Sequence, residues 1–164
     1  MTAVTPELLS RYDVPGPRYT SYPTSDRFVE AFGERDYSLA LKQRKIAAAA
    51  RQPISLYVHI PFCESLCYYC ACNKIITKHK ERAATYMGYL EQELDLHLRH
   101  CGEGQSLSQF HVGGGTPTFL SDDELRALWA MLRKRFVLEA AGEYSIEVDP
   151  RTVTRERLAM LKEI

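Results

Sequence analysis

An α/β fold built on parallel strands is the architecture this sequence predicts. Short strand-like runs alternate with amphipathic helical stretches three times over, the pattern of strand–helix units. Each strand ends at a proline or glycine, and the residues best suited to chemistry follow the strands: cysteines after the first, glycines after the second, acidic residues after the third. Alternation of this kind favours parallel pairing with right-handed crossovers, so the carboxyl ends of all the strands share one edge, where such folds build their sites.

Residues 1–50 contain no strong strand and carry Pro15, Pro17 and Pro23, followed by good helix formers from Leu39 to Ala50. They read as an arm and a leading helix, with residues 51–164 forming the main domain. Leu56, Val58 and Ile60 alternate with Tyr57 and His59 in a strand that Pro61 closes. After the cysteine loop, Tyr86, Leu90, Leu94 and Leu98 recur every fourth residue, giving a helix over Glu81 to His100 that Gly102 ends. Ser108 to Val112 fits a second strand before the glycines. Ser121-Asp-Asp-Glu124 is a capping box opening a helix through Leu125, Leu128, Trp129 and Leu132. Tyr144, Ile146 and Val148 mark a third strand stopped by Pro150, and Leu158 and Leu161 start a further helix.

Composition bounds the function. Hydrophobic residues are 45% and charged residues 26%, as in ordinary globular proteins, and 21 basic residues balance 21 acidic ones. No whole-chain field argues for nucleic acid or an anionic membrane. No apolar stretch approaches the roughly 18 residues that span a bilayer, and Met1 to Ser10 lacks a leader pattern, so a cytoplasmic protein is expected. Five cysteines, four of them within ten positions, fit a metal or cluster site better than a disulfide framework. Cys101, just past a helical pattern, reads as a buried structural thiol.

Cys63, Cys67 and Cys70 carry the strongest signal, because three thiolates at this spacing hold three irons of a cubane cluster and leave the fourth open, whereas ordinary 4Fe-4S carriers use four. The same spacing also suits a helical stripe, and a zinc site is the other alternative, although zinc usually takes paired Cys-x-x-Cys units. Cys72, two residues from Cys70, has little slack to reach the same cube. Gly113, Gly114 and Gly115 allow close backbone approach and present N–H groups to a ligand, or form a plain turn. They match neither a dinucleotide nor a P-loop pattern.

These motifs resemble those of radical S-adenosylmethionine (SAM) enzymes. Cys63-x-x-x-Cys67-x-x-Cys70 with the Cys70-x-Cys72 step, the Gly113-to-Thr118 run and the Gly16-Pro-Arg-Tyr-Thr-Ser-Tyr-Pro-Thr24 arm together look like the oxygen-independent coproporphyrinogen III oxidase family. The resemblance implies an α/β fold, the first half of a partial (β/α)6 barrel, and so an amino-terminal part of a longer domain. It implies a 4Fe-4S cluster on Cys63, Cys67 and Cys70, with SAM, two molecules of it, as cofactor. Tyr57, Tyr69, Cys72, Gly114, Gly115, Thr116 and Glu147 are the residues it implies for SAM binding. Ala71 stands where the family usually has glycine.

Read without the resemblance, Tyr57 would be a core aromatic and Glu147 a solvated or paired carboxylate. His59 and His111 read as satisfied structural residues and not as catalytic ones. Arg18, Tyr19 and Tyr22 either cover the site or pack as an extended segment.

The activity implied is an oxidoreductase of porphyrin and haem biosynthesis, decarboxylating two propionates of coproporphyrinogen III to give protoporphyrinogen IX. An electron-donating reductase or flavodoxin-like protein is the implied partner, and a monomer is expected. The rivals are a radical SAM haem-trafficking protein, whose relatives tend to lack the Cys-x-Cys step and the arm, and a non-catalytic Fe-S or zinc module, which leaves the glycines unexplained.

Overall fold

In a computed structural model, residues 4–14, 24–46, 52–68, 70 and 72–164 are described. The chain divides into two compact units, Met1–Tyr37 and Ser38–Ile164. The first holds α1 (Pro6–Tyr12), where Thr5 caps the helix by accepting from the Leu8 N–H and Pro6 occupies the first turn. Helix α2 (Glu34–Ile46) starts five residues before the expected Leu39 and runs across the division.

The second unit is organised by a sheet of three parallel strands in the order β1–β4–β5: β1 (Ile54–Ile60), β4 (Gln105–Gly114) and β5 (Phe136–Ile146). Between β1 and β4 come β2 (Phe62–Cys63), β3 (Ile75–Ile76) and α3 (Arg82–Cys101). Between β4 and β5 lie a short 3-10 turn (Pro117–Phe119) and α4 (Asp122–Arg135); α5 (Arg155–Glu163) follows β5. The expected α/β architecture with parallel strands is what forms.

Strand alternation gives the sheet two unlike faces. Val58, Ile60, Phe110 and Val112 are buried, and Leu56, Tyr144 and Ile146 pack against the same core. Helix α3 contributes Ala83, Met87, Leu94 and Leu98, and α4 contributes Leu125, Leu128 and Leu132. The alternate residues Ser55, Tyr57, His59, Gln109, His111, Glu143 and Ser145 form the polar face, so Tyr57 is 54% exposed instead of a core aromatic.

Both caps read from the sequence are present. Ser121 and Glu124 form the reciprocal capping box of α4, and Gly102, at φ +92°, ends α3. Cys101 is buried at 8% exposure, and burial pushes its thiol up.

Strands β2, β3 and β5 also differ from the sequence expectation, and β4 starts at Gln105, ahead of the expected Ser108. Strand β5 starts at Phe136, directly after α4, and ends at Ile146, short of Val148. The register jumps from Leu107 opposite Leu138 to Gln109 opposite Glu143, so residues 139–142 leave the ladder, with the Tyr144 hydroxyl donating to Glu139 O and Leu107 O across the gap. Pairs β2 and β3 form a small parallel ladder, Phe62 with Ile75 and Cys63 with Ile76, which ties both ends of the cysteine loop together.

Candidate active site

Sheet topology brings the three unusual segments to one edge. Gly113 and Gly114 end β4 opposite His59 and Ile60, and the Glu147 N–H donates to Val112 O just past β5. A side chain at Gly113 would lie 3.0 Å from the Tyr57 ring and 3.1 Å from the Glu147 carboxylate carbon. Gly114, at φ +119°, has Ile60 O only 2.7 Å from the position of a Cβ. Gly115 would place a Cβ 2.8 Å from Cys63 Sγ. Gly114 and Gly115 are therefore restricted to glycine by backbone packing, whereas a side chain at Gly113 would crowd Tyr57 and Glu147.

That packing corrects one expectation. The N–H groups of the glycine run are not held out for a ligand: Gly114 N–H donates to Glu147 Oε2 at 3.1 Å, Gly115 N–H to Ile60 O at 2.8 Å and Thr116 N–H to Phe62 O at 2.9 Å. The run acts as a tight junction that sets Glu147 beside Tyr57.

The polar face continues this arrangement. Tyr57 Oη lies 2.9 Å from His59 Nδ1, and His59 Nε2 lies 2.8 Å from Asn73 O. A carbonyl only accepts, so Nε2–H donates to Asn73 O, and with the proton there Nδ1 accepts a hydrogen bond from the Tyr57 hydroxyl. Tyr57 is left facing outward with acceptor lone pairs. Partial burial and the nearby Glu147 carboxylate push its hydroxyl up, which keeps it protonated.

His111 stacks on Tyr57 with centroids 5.9 Å apart and 16° between planes. Its Nδ1 is 2.7 Å from Ser145 Oγ and its Nε2 is 3.4 Å from Glu147 Oε1. Both histidines are satisfied by hydrogen bonds, as the sequence suggested, but their partners are residues of the candidate site. The available signal was positional, since each lies on the same face of its strand as Tyr57.

The thiols of the cysteine loop each meet a donor. Cys63 is buried in β2, and the Thr116 hydroxyl approaches its Sγ at 3.6 Å. Arg151 Nη2 donates to Cys67 Sγ at 3.8 Å, with the guanidinium aligned by Asp149 through Nε at 3.0 Å and Nη2 at 2.8 Å. Arg151 in turn pulls the Asp149 carboxyl down to about 2. The Cys72 N–H lies 3.4 Å from Cys70 Sγ and lowers the Cys70 thiol, whereas hydrogen bonding to Cys70 and burial raise the Cys72 thiol. The two adjacent thiols are thus split in character.

Among the described residues no three His, Cys, Asp or Glu side chains are gathered into a ligand set, so Cys63, Cys67 and Cys70 share a loop without being drawn together. Tyr69 and Ala71 lie outside the described residues, as do Arg18, Tyr19 and Tyr22. The donor set nevertheless fits an iron–sulfur cluster: three free soft thiols on one loop tied off by β2 and β3, each with a donor aimed at its sulfur. Asp149 and Arg151 were not singled out together by sequence reasoning, because Arg151 is 84 residues from the cysteine it meets.

Comparison with known proteins now adds to the geometry. A sequence model of the radical SAM superfamily matches residues 57–164. An oxygen-independent coproporphyrinogen III oxidase of Pseudomonas aeruginosa is 47% identical over 96% of the chain and 34% of its own length. One from Mannheimia haemolytica is 44% identical over 87% of the chain and 94% of its own sequence. The solved structure of coproporphyrinogen III oxidase (HemN) from Escherichia coli, described as a radical SAM enzyme, superposes with a TM-score of 0.78 at 42% identity, over 94% of this chain and 33% of that one. The chain spans about a third of the length of the Pseudomonas and Escherichia relatives.

Proposed function

We propose that this chain, which belongs to the radical SAM superfamily and within it to the oxygen-independent coproporphyrinogen III oxidase family, carries the cofactor-binding part of an enzyme that oxidatively decarboxylates coproporphyrinogen III to protoporphyrinogen IX. The observation that carries this reading is the meeting of the cysteine loop, the glycine junction, Tyr57 and Glu147 at one edge of a parallel sheet.

Cys63, Cys67 and Cys70 hold a 4Fe-4S cluster. Cys72, two residues beyond Cys70, stays outside the ligand set. A cluster held there would supply one-electron reducing chemistry toward SAM. The chain's own part is orientation. Glu147, acceptor-only and fixed by Gly114, suits the ammonium of SAM, and Tyr57 presents a second acceptor beside it. Gly114, Gly115 and Thr116 belong to the same cofactor-binding set, as does Tyr69, and Cys72 serves a second SAM molecule.

Residues 51–164 form the radical SAM domain and residues 1–50 its leading arm and helix. An electron-donating reductase or flavodoxin-like protein supplies the cluster's electron, and the enzyme works as a cytoplasmic monomer. Balanced charge supports a reading without nucleic acid, and no described helix is long and apolar enough to cross a membrane.

The test is electron paramagnetic resonance of the anaerobically reconstituted, dithionite-reduced protein with and without SAM. A reduced-cluster signal that changes on adding SAM is expected. A cluster indifferent to SAM, or colourless zinc protein, would overturn the reading.

A further inference from the structure

We propose that His111 is a positioning residue for the amino-acid end of SAM, acting through Glu147; this rests on the cofactor reading above. The observation is that one ring touches two of the residues assigned to SAM. His111 lies on the polar face of the central strand, in register with Tyr57 on one side and Ser145 on the other. It stacks on the Tyr57 ring and reaches Glu147 Oε1 and Ser145 Oγ with its two nitrogens.

Glu147 needs such support. It follows the last residue of β5 and its side chain is 54% exposed, so without a second partner the Gly114 N–H on Oε2 would be, among the described residues, the one hydrogen bond orienting it. A donor on Oε1 fixes the carboxylate plane. Because a carboxylate only accepts, the donor must be His111 Nε2–H, and Ser145 secures that tautomer when its hydroxyl donates to Nδ1. Ser145, His111, Glu147 and Gly114 therefore form one chain of oriented groups ending on the carboxylate that meets the ligand. Orientation held in advance removes a cost from binding.

The test compares the SAM concentration that half-converts the reduced-cluster spectrum in the parent, in His111→Phe and in His111→Gln. Phenylalanine keeps a flat ring against Tyr57 and loses both nitrogens, and glutamine restores a donor toward Glu147. His111→Phe is expected to weaken SAM binding about tenfold at unchanged iron content, and His111→Gln to recover part of it. In a Glu147→Ala background the same His111→Phe change is expected to cost less than about twofold, since non-additivity marks residues that act through one another.

Equal SAM affinity in parent and His111→Phe overturns the proposal, as does a full loss that persists in the Glu147→Ala background. A parent spectrum that ignores SAM overturns the cofactor reading and this proposal with it. If His111→Phe fails to retain iron, Ser145→Ala keeps ring and stack and carries the test: about threefold weaker binding supports the proposal, and unchanged binding overturns it.

Discussion

Replacing Cys63, Cys67 or Cys70 with alanine is expected to abolish stable cluster binding, measured as iron and acid-labile sulfide per chain, while Cys72→Ala keeps the iron. Equal iron loss in all four would remove the distinction between Cys70 and Cys72. Gly114→Ala should be costly for a different reason. A methyl at φ +119° and 2.7 Å from Ile60 O forces the junction apart, so a loss on the order of 1–3 kcal/mol in denaturant-unfolding stability is expected. At this scale the cysteine spacing and the glycine run were legible, because chemistry and backbone freedom are local properties. The donors to the sulfurs were not. Thr116 is 53 residues from Cys63 and Arg151 is 84 from Cys67, and only the folded sheet brings them together.

The junction of α4 and β5 is anchored to α3 by one side chain. Arg135, 12% exposed, donates from Nε to Asp95 Oδ1 at 2.7 Å and from Nη2 to Glu91 Oε1 at 2.8 Å. The guanidinium holds the Asp95 carboxyl below its ordinary 3.8. A carboxyl lowered by folding stabilises the fold above its unfolded pKa and loses that contribution as pH falls through the folded value. Asp95→Asn should therefore shift the urea midpoint downward at pH 7 and approach the parent as pH drops below about 4; a difference that stays constant with pH would show that it does not arise from the ionised Asp95 carboxylate. Helices were legible from their periodicity and caps. The β2–β3 ladder was not, since two residues per strand carry no alternation, and the start of β5 was hidden because Phe136 follows the last residue of α4 without a break.

One side of the sheet is buried under helices and the other is polar, and this sidedness governs both stability and chemistry. Leu132, at 1% exposure, sits in the core beneath the sheet, so Leu132→Ala should cost about 2–5 kcal/mol in a chemical-denaturation experiment. The succession of strands and helices was visible along the chain, which is why the fold class could be read early; that Tyr57 belongs to the polar face required knowing which face the helices cover. The register has a further consequence. Tyr57, His111 and Ser145 are direct neighbours across β1, β4 and β5, so the sheet works as a ruler with marks about 4.8 Å apart. Slipping β5 by one residue would turn Ser145 into the core and push Tyr144 and Ile146 into water. A misaligned sheet would lose its core and its rung of polar groups in the same step, so the candidate site proofreads the fold that carries it.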